Sequence, residues 1–246
     1  MTLLFEVKDL KKSYGSKPIL RGLSFNIFKG EVVGLLGANG AGKTTAFYLA
    51  IGLIQPDAGE IFLNEKPITH LPIYKRAELG IGYLAQEPSV FKSLSVEENI
   101  LCILEITEKM HGLKTKKEKE KRLFELLSEV NLVDHAQKKA GMLSGGERRR
   151  LEITRALITN PSLLLLDEPF ANIDPLTIRD VKQMILFLKK KGISVLITDH
   201  NAREIFSITD RSCLVQDGKV ILQASAEEMI QDPTARSCYL GEDFKL

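Results

Sequence analysis

Val32-Val-Gly-Leu-Leu36 runs without a break into Gly37-Ala-Asn-Gly-Ala-Gly-Lys-Thr44, and the reading of this stretch decides the fold. An apolar run without alternation is what a strand covered on both faces of a parallel sheet looks like. Residues from Lys43 to about Leu53 read as a helix, and the loop between fits G-x-x-x-x-G-K-[ST]. Its glycines let the backbone turn N–H groups inward to cradle phosphates, at a helix N-terminus whose dipole favours anions. In such a loop Lys43 reaches the β- and γ-phosphates and Thr44 holds Mg²⁺. A chance match in a chain of this composition is on the order of one in a hundred. The strand before and the helix after are both present, so the stretch predicts a nucleotide phosphate site.

The 246 residues are long for one domain and short for two, which predicts one large domain or a core with an inserted subdomain. Apolar residues at 44% and charged residues at 27% exclude a disordered or fibrous chain. Lys and Arg (34) nearly balance Asp and Glu (32), which argues against nucleic-acid binding as the main activity. The longest uncharged stretch, Thr44 to Pro56, is too short to cross a bilayer. The N-terminus meets Glu6 and Asp9 early and lacks the basic-then-apolar order of a signal peptide. Cys102, Cys213 and Cys238 lie far apart with no CxxC, as free thiols in a reducing cytosol would. A cytoplasmic globular protein is expected.

Outward from the loop, Leu3 to Val7 and Leu23 to Ile27 read as short strands, with Tyr14-Gly15-Ser16 as a turn. Buried strands are predicted at Ile81–Leu84, Leu163–Leu166 and Ser194–Thr198. Between about Phe91 and Ile158 the texture turns helical. Ser95-x-x-Glu98 reads as a capping box, and Lys114 to Arg122 as a charge-dense helix start with a solvated face. The expected architecture is an α/β core (about 1–90 and 159–246) interrupted by a helical subdomain (about 91–158), with a strand-rich end from about Asp210.

A nucleotide phosphate site needs an acid at the end of a second buried strand, and Leu163-Leu-Leu-Leu166 runs into Asp167 and Glu168. Asp167 is placed to take Mg²⁺ through water. Glu168, one residue on, can orient or deprotonate the attacking water. Leu143-Ser-Gly-Gly-Glu147 is the most diagnostic stretch. Ser144-x-x-Glu147 makes a capping box, but a cap needs no pair of glycines, which cost helix stability at about 1 kcal/mol each. Two bare amides and a hydroxyl at a helix start make a second anion site.

Taken in order, these motifs resemble the ATP-binding cassette (ABC) ATPases over essentially the whole chain. The resemblance implies a P-loop core with an antiparallel β-subdomain and an inserted helical subdomain, and it assigns roles. Tyr14 stacks on adenine; Gly37, Ala38, Asn39, Gly40, Ala41, Gly42, Lys43, Thr44 and Thr45 hold the phosphates of ATP; Gln86 senses the γ-phosphate and contacts Mg²⁺. Ser144, Gly145 and Gly146 form the signature that closes over the ATP of the other subunit. Asp167 is the metal acid and Glu168 the catalytic base. Asp174 belongs to the loop that contacts the other subunit, and His200 is the switch histidine on the γ-phosphate.

Within the family, Arg76 to Glu87, Leu196 to Asn201 with Arg203-Glu204, and the terminal Tyr239-Leu-Gly-Glu-Asp-Phe244 are similar to the ATP-binding subunits of lipopolysaccharide export systems. That similarity implies a homodimer on the cytoplasmic face of an inner membrane, working through separate transmembrane ABC subunits and without nucleic acid. ATPases of branched-chain amino acid importers are the nearest alternative. Ala85 stands where relatives have Pro, and Asn172-Ile173 replaces a Gly-Val pair before Asp174. Neither change touches a side chain assigned as a ligand.

Overall fold

In a computed structural model describing residues 1–87, 89–107, 115–171 and 173–244, the chain opens with β1 (Leu3–Tyr14) and β2 (Lys17–Phe28). They form an antiparallel hairpin that turns through Gly15-Ser16. Both strands are far longer than the expected pieces at Leu3–Val7 and Leu23–Ile27. Register shifts around Leu10 and a left-handed Asp9 (φ 47°) upset the alternation without ending the pairing. After β3 (Val32–Leu36) and α1 (Lys43–Ile51), β4 (Ala58–Leu63) and β5 (Lys66–Pro67) complete a four-stranded sheet in the order β2-β1-β4-β5. Neither β4 nor α2 (Ile73–Glu78) was anticipated. β4 opens on Ala-Gly-Glu, a poor strand former, and is held as a strand by its neighbour, with Val7 opposite Ile61 and Phe5 opposite Leu63.

The second sheet has six strands in the order β10-β9-β3-β8-β7-β6. Its members are β3, β6 (Ile81–Leu84), β7 (Leu163–Asp167), β8 (Ser194–Thr198), β9 (Arg211–Gln216) and β10 (Lys219–Ala224). β3 pairs parallel with β8 and β9, and β7 parallel with β8 and β6; β10 alone runs antiparallel, on β9. Every residue of β3, β7 and β8 is buried. Alternate side chains separate into two cores: Val32, Leu36, Leu164, Leu166, Val195 and Ile197 in one, Val33, Leu35, Leu163, Leu165 and Leu196 in the other. The carboxyl ends of β3, β8, β7 and β6 therefore lie along one edge. The loop after Leu36, His200, Glu168 and Gln86 follow those four ends, where open parallel sheets bind ligands.

Helices α3 (Val96–Ile106), α4 (Lys116–Glu129) and α5 (Gly145–Leu157) occupy the stretch between β6 and β7. The Ser95/Glu98 capping box is present, and α4 starts on a second one at Thr115/Glu118. Lys114 and Asn172 lie outside the described residues. On α4, Leu123, Leu126 and Leu127 are buried, giving a charged helix with one apolar stripe. α6 (Pro175–Lys190) follows β7 and α7 (Ala202–Phe206) follows β8. The end of the chain is less strand-rich than expected. After β9 and β10 come α8 (Ala226–Gln231), α9 (Pro233–Ala235) and a π-turn at Arg236–Leu240. A Ser225/Glu228 capping box starts α8, a signal present in the sequence and passed over. Among the described residues no helix is long and apolar enough to cross a membrane.

Candidate active site

The loop after β3 reaches α1 through Gly42, whose φ of 107° suits glycine far better than a residue with a side chain. Lys43 is 6% exposed, and its ammonium donates to the carbonyls of Gly37 (2.6 Å) and Ala38 (3.1 Å), folding the side chain back across its own loop. Burial pulls its pKa down; the nearby carboxylates of Glu168 and Asp167 oppose that pull. The loop is pinned from behind. Gly218, in the β9–β10 turn, donates to Ala41 O (3.1 Å) and accepts from Arg21 N of β2 (3.0 Å).

A cavity of about 310 Å³ is lined by Tyr14, Asn39, Gly40, Gly42, Lys43, Thr44 and Thr45 together with Glu168 and His200. The structure thus brings the predicted aromatic, the phosphate loop and two of the predicted catalytic residues to one hollow. Ala38 and Ala41 line a neighbouring cavity of about 220 Å³, which Tyr239 borders. Tyr14 is 51% exposed, an open aromatic face beside the loop.

At the end of β7 the two acids part company. Asp167 is buried and its carboxylate accepts from Thr198 Oγ1 at 2.7 Å. Burial raises its pKa; Glu168 and Asp199 push the same way, against Thr198 and Lys43. Glu168 turns outward through a left-handed backbone (φ 44°), a conformation that costs a non-glycine residue energy and tends to mark functional positions. Its amide donates to Thr198 O at 2.9 Å, which holds the turn. Both carboxylate oxygens of Glu168 are engaged: Gln86 Nε2 donates to Oε2 at 2.8 Å, and His200 Nε2 lies 2.5 Å from Oε1. Three residues far apart in sequence meet on one carboxylate.

Thr198 and Asp199 had been given no role by sequence reasoning. Asp199 is buried and accepts from Phe170 N and Asn201 N, both at 2.9 Å, so it ties the loop after Glu168 to the loop carrying His200. The available signal was a polar pair, Thr198-Asp199, directly after the apolar run Val195-Leu-Ile197. Arg76 was also missed as a positioning group. Fully buried, its guanidinium donates to the carbonyls of Leu49, Ala50, Thr69 and Leu71, the first two in the last turn of α1.

Ser144 caps α5, with Ser144 N donating to Glu147 Oε2 (2.8 Å) and Ser144 Oγ accepting from Glu147 N (3.3 Å). The two glycines that follow differ. A Cβ on Gly146 would stand 2.9 Å from Asp180 Oδ2 of α6, a carboxylate that would have to give way. On Gly145 the nearest atom would be Thr177 Oγ1 at 3.5 Å, an ordinary contact, and Gly145 is exposed. Nothing among the described residues accounts for Gly145. It lines a cavity of about 490 Å³ with Gln86, Glu87 and Glu168, while the phosphate-loop cavity is lined by neither Ser144 nor Gly146. Asp174 likewise stays away from that cavity: it caps α6, accepting from Leu176 N, Thr177 N and Thr177 Oγ1, and these bonds hold its pKa down.

Thr44, Gln86 and Asp167 offer only oxygen donors suited to a hard cation, and the partly uncompensated acids at Asp167 and Asp199 favour one nearby. No group of three or more His, Cys, Asp or Glu that could hold a metal occurs among the described residues.

The family model for ABC transporters matches residues 20–171. The lipopolysaccharide export system ATP-binding protein LptB of Acidithiobacillus ferridurans is 47% identical over 246 residues, covering all of both chains. A solved ATP-binding cassette of an ABC transporter in its ADP conformation superposes with a TM-score of 0.87 at 30% identity, over 98% of this chain and all of that one. A dimeric cassette captured after hydrolysis with ADP and phosphate gives 0.77 at 27% identity, over 91% and 99%. With a phosphate loop, a clamped acid and a capped glycine pair in one cassette fold, this chain belongs to the ABC transporter family as an ATP-hydrolysing subunit.

Proposed function

We propose that this subunit powers lipopolysaccharide extraction from the inner membrane towards the outer membrane, as a homodimer beneath transmembrane ABC partners. One observation carries the narrower assignment. The terminal hexapeptide, the stretch that first pointed to export systems, is seated on the helix that follows His200. Phe244 meets Phe206 edge-on at 6.0 Å, and the Arg203 guanidinium lies 5.6 Å from the Phe244 ring. The full-length likeness to an export-system ATP-binding protein supports the same assignment.

In this reading residues 37–45 hold the phosphates of ATP against the start of α1, and Tyr14 offers its face to the base. Thr44, Gln86 and Asp167 hold Mg²⁺, which supplies charge stabilisation on the phosphates. Glu168 accepts the proton of the attacking water. Gln86 and His200 grip one oxygen each, so the carboxylate is already oriented before substrate arrives. Ser144 and the Gly145 amide serve the nucleotide of the second copy. That accounts for Gly145, and the dimeric post-hydrolysis cassette supports two-copy working. The core and helical subdomain divide near residues 90 and 158.

Phe91 is the proposed anchor for the membrane partner. It is 47% exposed, and the Arg155 guanidinium stacks 4.7 Å from its ring. Its backbone is fixed by Asn99, which accepts from Phe91 N at 2.9 Å and donates to Phe91 O at 3.0 Å. A rigidly held, open aromatic suits a binding hot spot. Purification of the tagged chain from membranes of its own host tests the proposal. Co-purifying permeases whose depletion halts lipopolysaccharide export would support it; branched-chain amino acid permeases would replace it with the importer reading. Phe91→Ala should lose those partners, and an unchanged yield of partner would move the docking surface elsewhere.

A further inference from the structure

Among the described residues, the capping box at Ser144 differs from those at Ser95 and Ser225. At Ser95/Glu98 and Ser225/Glu228 the carboxylate bonds to its own cap residue and to no other described side chain. At Ser144 the Glu147 carboxylate is also reached from outside the helix. His135 Nε2 lies 3.2 Å from Oε1, and Lys138 Nζ donates to Oε2 at 3.5 Å. Both side chains come from the segment before α5, and that segment is anchored in turn. Ala136 O and Lys138 O accept from Glu97 N and Val96 N at 3.0 Å, while Ala140 N and Gly141 N donate to Leu94 O and Lys92 O at 2.9 and 3.0 Å. His135 and Lys138 are about a third exposed, and pairs that open add little to folding stability. A brace of small energetic weight on a cap that an exposed glycine follows has position as its use.

We infer that His135 and Lys138 are positioning residues for the Ser144-Gly145-Gly146 helix start, clamping it through the Glu147 carboxylate to the segment that opens α3. The inference rests on the reading of that helix start as the surface presented to the nucleotide of a second copy. Glu147 N and the two glycine amides then point where they do because the carboxylate cannot swing. Loosening the clamp weakens closure on the nucleotide and leaves hydrolysis intact once ATP saturates.

The test is ATP-dependent hydrolysis by the full chain with Mg²⁺ present. A His135→Ala/Lys138→Ala double variant should need about five times more ATP for half-maximal rate, with kcat changed less than about twofold, the signature of lost uniform binding. Its melting temperature should stay within about 2 °C of the parent. His135→Gln/Lys138→Arg, which keeps a donor at each position, should restore the ATP requirement. Unchanged half-saturation in the alanine pair overturns the inference, and so does a lowered melting temperature with a fallen kcat. Gly145→Asp separates this from the reading beneath it. If Gly145→Asp hydrolyses ATP normally, the helix start does not serve nucleotide and both fall; if it is inactive while the alanine pair is silent, only the clamp falls.

Discussion

Glu168 Oε1 lies 2.5 Å from His200 Nε2, although the two residues follow different strands, and both line the phosphate-loop cavity. The contact exists because β7 and β8 pair in register, with Asp167 opposite Thr198, so the residues after each strand end emerge side by side. Glu168→Gln keeps the shape and removes the base. ATP binding should persist while turnover falls at least about a hundredfold, within the 10²–10⁴ that a positioned base supplies. Near-parental turnover in a steady-state assay would take Glu168 out of that role.

Asp167 pays for its position in stability. Its pKa is raised by burial, so at neutral pH the ionised form opposes folding. That opposition holds above the folded-state value and vanishes below the ordinary carboxylate value near 3.8. Asp167→Asn, still able to accept from Thr198, should melt about 2 °C or more above the parent at pH 7 while losing Mg²⁺-dependent hydrolysis. The gap in melting temperature should shrink as pH falls towards 4. A variant less stable than the parent at pH 7 would contradict the sign.

Glu147 has the opposite sign. Its pKa is lowered, first by the backbone bond from Ser144 and then by the nearby His135 and Lys138. A carboxylate depressed in the folded state stabilises above its unfolded value and loses that contribution as pH falls through the folded one. Glu147→Gln should therefore melt below the parent at pH 7, with the two curves converging below about pH 4. Parallel curves across that range would show that the charge does not matter to the cap.

Mixing Lys43→Ala chains with Gly145→Asp chains probes whether the helix start works across a dimer. Each mutant alone should be inactive, while the mixture forms heterodimers in which one composite site is whole. Some hydrolysis should return with mixing. If both lesions fell within one intrachain site, no mixture would recover any.

Arg76→Met should cost about 3 kcal/mol or more, since it strands three buried carbonyls and a part-buried one that now share one guanidinium. Burial brings its pKa down to about 10, so it remains charged at neutral pH. Arg76→Lys should rescue little, because one ammonium cannot reproduce the planar fork. Chemical denaturation of the three proteins decides this, and a lysine variant as stable as the parent would deny the fork its role.

Strands β3, β6, β7 and β8 were legible because each carries an apolar run without alternation, as a strand largely buried on both faces does. The site residues on their carboxyl ends were legible with them. The hairpin's length was not, since Asp9 bends the pattern in the middle of β1. Nor was β4, whose opening residues adopt a strand only because β1 lies alongside. Lys43, Glu168, Gln86 and His200 could be named from motifs, but the double grip on Glu168 is a property of strand order, which no local stretch encodes. Arg76 lies in a stretch to which the sequence assigned no element, and its burial depends on where α1 ends.

The clamp behind the phosphate loop bears on which changes this chain can accept. A Cβ on Gly218 would sit 2.1 Å from Ile19 O, and the obstacle is backbone, which cannot step aside as a side chain can. Because Gly218 also bonds to Ala41, the strain of a larger residue would pass directly into the loop that wraps the phosphates. A glycine in a plain Asp-Gly hairpin turn, outside the motifs that mark the nucleotide site, is thus tied to that site. In a saturation survey of viable sequences, position 218 should tolerate as few alternatives as the loop glycines do, while the neighbouring Lys219, which is exposed, varies freely.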